Sequence, residues 1–300
     1  MKPSLIQLFG EPLPSYMALL ALGFGLATWL GARWARRMDL DPNLVIDLGL
    51  YSALMGLVGA RLMHVLFDGY FWDYVHLCTD PSQVRWKITA AECQKIQGRW
   101  LEGACIPQER DCFAWLAIWR GGLTYYGGLI ASSVFAYFFL RREKAPFWRV
   151  ADMAGMTIPL GLFFGRMGCF LGGCCFGEVN KGPFGLSFPP WSPASEAQFR
   201  QGLLATPSLP SLPVHPTQLY EALGSWFIAL VASVAVHPRK RFDGAVFLFF
   251  LSSYALLRFM LEYWRDDDRG SLLLFSTSQW ISLASIALSL CIYRKLSRSL

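Results

Sequence analysis

The chain has 300 residues, 54% of them hydrophobic and only 16% charged, with a mean hydropathy of +0.35. Ordinary globular proteins carry about 25% charged residues, so this balance excludes disorder, collagen and coiled coil and argues against folding in water. The net charge of +6 raises nucleic acid as a partner only until the basic residues are located.

In chain order the charges leave seven apolar stretches. The first has no charge between Glu11 and Arg33. It outlasts the core of a signal peptide and is followed by Arg33, Arg36 and Arg37 without a small-residue cleavage pattern. The second covers roughly 43–66, and a long Cys-containing segment, 68–120, separates it from the third, uncharged between Arg120 and Arg141. The fourth, fifth and sixth lie at about 150–170, 216–236 and 244–263. Before the fifth, the segment from Cys175 to Val214 is rich in Pro, Ser and Gly and reads as an irregular loop. The seventh has no charge between Arg269 and Arg294. Each stretch can cross a ~30 Å hydrocarbon core, which needs about 20 residues. The expected fold is an all-α polytopic membrane protein: one domain over 1–300 with seven transmembrane helices, and 68–120 as a loop insertion.

Seven spans put the termini on opposite sides. One set of loops holds 13 basic and six acidic residues, net +7, and the rest of the chain holds 14 and 15, net −1. The positive-inside rule then places the C-terminus in the cytoplasm and the N-terminus outside. The basic excess is thereby explained without nucleic acid. Cys78, Cys93, Cys105 and Cys112 fall in the outer insertion, where oxidising conditions favour two disulfides. Four cysteines allow three pairings. Their spacings of 15, 12 and 7 residues contain no CxxC pair, which argues against metal.

The outward-running spans each carry one arginine at a matching position. Arg61 and Arg166 follow Asp47 and Asp152 by 14 residues, and Arg258 follows Asp243 by 15. At 1.5 Å per residue all three attach about 21–22 Å above those aspartates. An intramembrane charge costs ~2.5–3.5 kcal/mol or more, so three at one depth point to a shared site. Guanidinium forks match phosphate oxygens, and phosphate at that depth means a phospholipid headgroup. The bland alternative is that they snorkel or pair with Glu221 and Glu262.

The segments holding these residues are GARLMHVLF (59–67), GGLTYYGGLI (121–130), GRMGCFLGGCCFG (165–177), HPTQLYEAL (215–223) and LRFMLEYWRDDDRG (257–270). In that order they resemble segments of bacterial prolipoprotein diacylglyceryl transferases. The resemblance runs from Tyr16 to the end of the seventh span and leaves the Cys-containing loop outside. It implies transfer of the diacylglyceryl group of phosphatidylglycerol to the thiol of a lipobox cysteine in a preprolipoprotein, with release of glycerol phosphate. The implied setting is the outer face of the bacterial inner membrane, among membrane lipids, with no metal and no organic cofactor.

That reaction must deprotonate a thiol of pKa ~8.5 and stabilise charge on a departing phosphate. Arg166 resembles the family's essential arginine, and with Arg61 and Arg258 it is expected to bind phosphate. Tyr16, Gln218 and Glu221 match residues of the family's lipid site. Tyr126 stands where many members carry His, so Tyr126 and His215 are the candidates for handling thiol and proton. Cys169 and Cys174 stand where Asn and Glu are common, and Val214 where Arg is common. Cys169, Cys174 and Cys175 read as small residues packed among Gly168, Gly172, Gly173 and Gly177 rather than as a metal site or thiol relay. Asp266, Asp267 and Asp268 read as a solvated end of the sixth span. The departures at 126, 169 and 214 keep a second reading open: a non-catalytic lipid- or lipoprotein-binding member with an outer partner. A transporter fits less well, because the inner half shows no comparable intramembrane charges.

Overall fold

The computed structural model describes residues 4–8, 11–86, 93–94, 96–101, 103–118, 122–265, 271–272 and 274–298. It is mostly helical. The elements are β1 (Ser4–Leu8), β2 (Glu11–Pro14), α1 (Ser15–Ala35), α2 (Pro42–Phe67), α3 (Phe71–Thr79), β3 (Arg99–Leu101), β4 (Ala104–Ile106), α4 (Tyr125–Arg142) and α5 (Phe147–Gly172), followed by α6 (Pro193–Arg200), α7 (Thr217–Val231), α8 (Ala245–Leu261), β5 (Ser271–Leu272), β6 (Phe275–Ser276) and α9 (Thr277–Ser297). Each strand pair is a separate two-stranded antiparallel ladder.

Among the described residues, each of the seven predicted stretches holds a long helix. Five are long and apolar enough to cross a membrane: α1, α2, α5, α7 as it continues to Arg239, and α8 as it continues to Trp264. The other two places are filled by α4 and α9, whose make-up is more polar. Helix α4 ends in Arg141 and Arg142, and α9 carries Ser278, Ser282, Ser285 and Ser289. Large apolar side chains face outward along the helices; Trp29, Leu54, Phe138 and Phe227 are all more than half exposed. Water would not tolerate apolar surface on that scale. Lipid explains it, and the chain is a multi-pass membrane protein.

The chain forms two compact units, Met1–Ile46 with Pro146–Leu300, and Asp47–Ala145. In the first, α5 packs against α1, α7 and α8, and α9 packs against α8. Asp152, fully buried in the second turn of α5, does for α8 what an N-cap residue usually does. Its carboxylate accepts from the backbone N–H of Gly244 (2.9 Å), Val246 (2.9 Å) and Phe247 (3.1 Å), and from Lys240 Nζ (2.8 Å). Free N–H groups at a helix start carry partial positive charge, so a carboxylate there is stabilising. Lys240 also pairs with Asp243 at 2.7 Å, and Arg149 pairs with Asp243 at 3.1 Å. Helix α9 begins with a reciprocal cap between Ser276 and Gln279.

In the second unit α2 and α4 meet at backbone distance. A Cβ on Gly59 would lie 2.2 Å from Ala131 Cβ, and one on Gly127 would lie 2.4 Å from Gly59 O, so only glycine fits either position. The insertion has a small core of its own, where Leu77, Val84 and Ala114 are buried with Tyr74 and Trp86 against them. Its disulfides are nested, Cys78–Cys112 and Cys93–Cys105, which selects one of the three open pairings.

The segment Cys175–Val214 is more ordered than its composition predicts. It contains α6, started by Ser192 accepting from Ser195 N at 3.2 Å, and a core of Phe188, Ala194 and Val214 with Phe170 and Phe176 packed on it. The overlooked signal is Ser-Pro-Ala-Ser-Glu at 192–196, a helix start with Pro in the first turn.

Candidate functional site

The first unit gathers four ionised side chains from three helices. Glu221 projects from α7 and is 1% exposed. A carboxylate so buried needs compensation in both charge and hydrogen bonds. Arg166 of α5 supplies Nη2 to Oε1 at 3.0 Å, Arg258 of α8 supplies Nη1 to Oε2 at 3.1 Å, and the Tyr254 hydroxyl donates to Oε1 at 2.7 Å. Arg258 continues to Glu262 at 3.7 Å and to Ser278 Oγ at 3.4 Å, and Ser276 Oγ donates to Glu262 at 2.8 Å. The result is an alternating row, Arg166–Glu221–Arg258–Glu262, with its positive end at Arg166. Arg166 is also the more exposed of the two arginines. Arg258 has a carboxylate on either side, whereas Arg166 shares its one ionic partner among the described residues with Arg258.

Gln218 lies one turn before Glu221 on the same face of α7 and is 1% exposed. Its Nε2 donates to Cys174 O at 2.7 Å; because a carbonyl can only accept, this contact fixes the amide orientation. Its Oε1 is then buried without a partner, which is uncommon in a folded interior. Thr217 Oγ1 donates to Cys175 O at 2.8 Å. The start of α7 therefore holds the backbone that leaves α5.

That backbone brings three cysteines together. Gly173 ends α5 with φ of 74°, Cys175 turns the chain again at φ of 63°, and the Sγ atoms of Cys169, Cys174 and Cys175 all lie within 4.8 Å of one another. Hydrogen bonds with Cys169 and Cys174, helped by the charges of Arg166 and Arg265, hold the Cys175 thiol below its ordinary range. Cys174 is pushed upward by its contacts with Cys169 and Cys175 and by burial. Glycine packing explains part of this segment: a Cβ on Gly168 would lie 3.0 Å from Tyr16 Cα, whereas one on Gly172 would meet nothing within 4 Å.

Tyr16, packed against Gly168, is 41% exposed at the start of α1. His215 is half-buried. Its Nδ1 lies 3.3 Å from Tyr220 Oη and 3.4 Å from Asn180 Nδ2, and its ring stands 6.3 Å from that of Trp264. Val214 is a core residue with Phe188 and Ala194.

In the second unit Arg61 has different partners. It is 5% exposed; its Nε donates to Trp115 O (2.8 Å), Nη1 to Gly122 O (3.1 Å) and Nη2 to Ala114 O (2.7 Å). The guanidinium also stands 5.2 Å from the Tyr74 ring centre. Tyr126, in the first turn of α4, is half exposed and lies edge-on to Tyr125. Asp266, Asp267 and Asp268 lie outside the described residues. Tyr254 and Ser276 were not singled out from the sequence. A tyrosine in an apolar span has no distinguishing signal, although Tyr254 precedes Arg258 by one helical turn.

The family described as prolipoprotein diacylglyceryl transferase matches residues 3–294. The chain is 24% identical over 295 residues to a phosphatidylglycerol–prolipoprotein diacylglyceryl transferase of Clostridium tetani, covering 98% of this chain and 97% of that one. Against the protein of that name from Photobacterium profundum it is 29% identical over 289 residues, covering 95% and 86%. With that of Caulobacter vibrioides it shares 33% identity over 263 residues, covering 85% and 76%. The agreement takes in the helices that carry Arg166, Glu221 and Arg258, and the chain belongs to the prolipoprotein diacylglyceryl transferase family.

Proposed function

We propose that this chain transfers the diacylglyceryl group of phosphatidylglycerol to the thiol of a lipobox cysteine in preprolipoproteins and releases glycerol phosphate. In this reading it spans the bacterial inner membrane seven times, with the N-terminus outside, the C-terminus in the cytoplasm and the site towards the periplasm. The observation that carries it is the alternating row ending at Arg166. Glu221, clamped by Arg258 and Tyr254, fixes the Arg166 guanidinium before substrate arrives, so little reorganisation remains when charge develops on the phosphate.

Arg166 binds the phosphate and stabilises the leaving group. Arg258 and Glu221 act through it as positioning residues. Tyr16 lines the lipid side, and Gln218 offers its unpaired oxygen to a substrate hydroxyl or amide. Arg61 is assigned to the phospholipid phosphate as well, and within the second unit it holds Ala114, Trp115 and Gly122. Tyr126 and His215 are assigned to the acceptor thiol and its proton. Family membership, with alignment over most of each relative named for this activity, supports the reaction.

The test is expression in a bacterium depleted of its own transferase. Diacylglyceryl-modified lipoprotein should reappear with the native chain and be absent with Arg166→Ala at equal membrane abundance. Inserted native chain that leaves lipoproteins unmodified would favour the non-catalytic binding reading.

A further inference from the structure

Helices α7, α8 and α9 carry Glu221, Arg258 and Ser278 towards one end. At their other end they enclose a cavity of about 400 Å³ that the function proposed above does not use. We infer that this cavity is a second lipid site, which seats an acyl chain of an anionic phospholipid and holds its phosphate on Arg239 and Arg241.

Three observations carry it. The first is the make-up of the wall. Ala245, Leu248 and Ser252 of α8 follow one another at three and four residues and so share one face, and Ser289 and Tyr293 of α9 do the same. From 245 to 252 the helix rises about 10 Å, room for part of an acyl chain. Leu290, also on the wall, is 53% exposed, so the cavity opens onto the lipid-facing surface. Its volume falls in the range of ligand sites, about 300–1,000 Å³.

The second is charge. Arg239 and Arg241 line the cavity and are themselves exposed, which puts them at its rim. Among the described residues neither meets a carboxylate, because the two nearby acids are taken. Asp152 and Asp243 both pair with Lys240, and Asp243 also pairs with Arg149. Arg239 Nη1 donates to Ala235 O at 3.1 Å, which steadies the side chain and leaves its other nitrogens for a phosphate. The third is the local backbone. Helix α7 continues into a π turn, Ala232–Val236, and then a 3-10 turn, His237–Arg239. Turns of the first kind frequently mark functional sites, and these two bring Val236 and Arg239 to the cavity wall.

A loop on this side of a membrane protein needs basic residues for topology alone. It does not need an apolar groove leading away from them. Cations in the loop between two spans, with an apolar wall running from them along α8, match an amphiphile with a negative head. Each guanidinium presents a fork that fits phosphate oxygens. Basic pockets between membrane helices on the cytoplasmic side hold anionic headgroups in this way. In the orientation proposed above this is that side, although binding itself requires only the cavity and the two arginines. The lipid joins α8 to α9 and to the end of α7, at the opposite ends of α7 and α8 from Glu221 and Arg258. It serves as a ligand of the fold, not as a substrate.

The test is native mass spectrometry of the full chain in detergent, carried out on Arg166→Ala so that the phosphate site proposed above does not contribute. Phosphatidylserine is the anionic probe and phosphatidylcholine the zwitterionic one. One phosphatidylserine should bind about 30-fold more tightly than phosphatidylcholine, the gain expected from two arginines near the surface. Adding Arg239→Gln/Arg241→Gln should abolish that preference. Arg141→Gln/Arg142→Gln, which removes the same charge from another basic loop, should leave it intact. Ser252→Trp, which fills the groove and keeps both arginines, should weaken both lipids with helical circular dichroism retained. Equal affinity for the two lipids would overturn the site, as would a preference that survives loss of Arg239 and Arg241 or falls equally in the Arg141 and Arg142 variant. Phosphatidylserine binding unchanged by Ser252→Trp would assign the lipid to surface charge and overturn the groove. Binding is read without transfer, so failure of this site leaves the proposed reaction standing.

Discussion

Arg166 and Arg61 each sit 14 residues after an aspartate on a long apolar helix, yet their surroundings differ in kind. Arg61 meets three backbone carbonyls and the face of a tyrosine. These contacts hold the guanidinium through dipoles and tie α2 to Ala114, Trp115 and Gly122. Arg166 meets a carboxylate that another arginine already shares, which leaves net positive character at the end of a row. Position in a helix therefore says that an arginine is held in place. The partner says whether its charge remains available to an anion.

The largest expected effect comes from removing the shared carboxylate. Glu221→Ala leaves Arg166 and Arg258 facing each other in a buried site and should destabilise the chain by about 3–5 kcal/mol, read as a lowered thermal midpoint in detergent; Glu221→Gln should recover part of it. Arg166→Ala should lower that midpoint less than Glu221→Ala, because Arg258 and Tyr254 still compensate Glu221, and should reduce the transfer rate about 10²–10³-fold, the range for loss of one preorganised donor. Arg166→Lys should recover little, because an ammonium lacks the fork.

Arg61→Ala should behave in the opposite sense. Losing charge-assisted hydrogen bonds costs about 1.5–3 kcal/mol, and the change should appear as faster proteolysis within 68–120. A greater fall in rate than for Arg166→Ala would break the distinction. The smallest effect concerns pH. Asp68 accepts from Thr124 Oγ1 at 2.6 Å and contacts His64 Nδ1 at 3.0 Å, and the Thr124 bond followed by the His64 bond holds its carboxyl below the ordinary value of 3.8. A lowered carboxylate contributes stability above the unfolded value and loses it as pH falls through the native one. Hydrogen exchange around residue 124 should therefore rise only below pH 3.8, and Asp68→Asn should remove the dependence.

The long helices were legible in stretches with few or no charges, and five of them are long and apolar enough to cross a membrane, because an apolar slab admits few charges over about 20 residues. Glu221 and Glu262 were visible as partners because opposite charges inside apolar segments have few other ways to be compensated. Arg61's partners were hidden, since a backbone carbonyl has no letter in the sequence. Cys169, Cys174 and Cys175 were read from the sequence as packing residues, and their convergence was hidden for another reason. Cys169 and Cys175 converge only because the chain enters left-handed conformations at Gly173 and Cys175, and nothing in the spacing of C-x4-CC requires the second. The nested disulfides were likewise open, since four cysteines admit three pairings at equal cost in sequence terms.

The most direct measurement combines the purified chain with phosphatidylglycerol and a lipobox peptide, and follows both products by mass spectrometry. One glycerol phosphate should appear for each peptide that gains a diacylglyceryl thioether, neither should form when the peptide cysteine is serine, and Arg166→Ala should suppress both together. Folded, monodisperse native chain that yields neither product, or an Arg166→Ala chain that yields both at the native rate, would contradict the assignment of Arg166 as the group that receives the leaving phosphate.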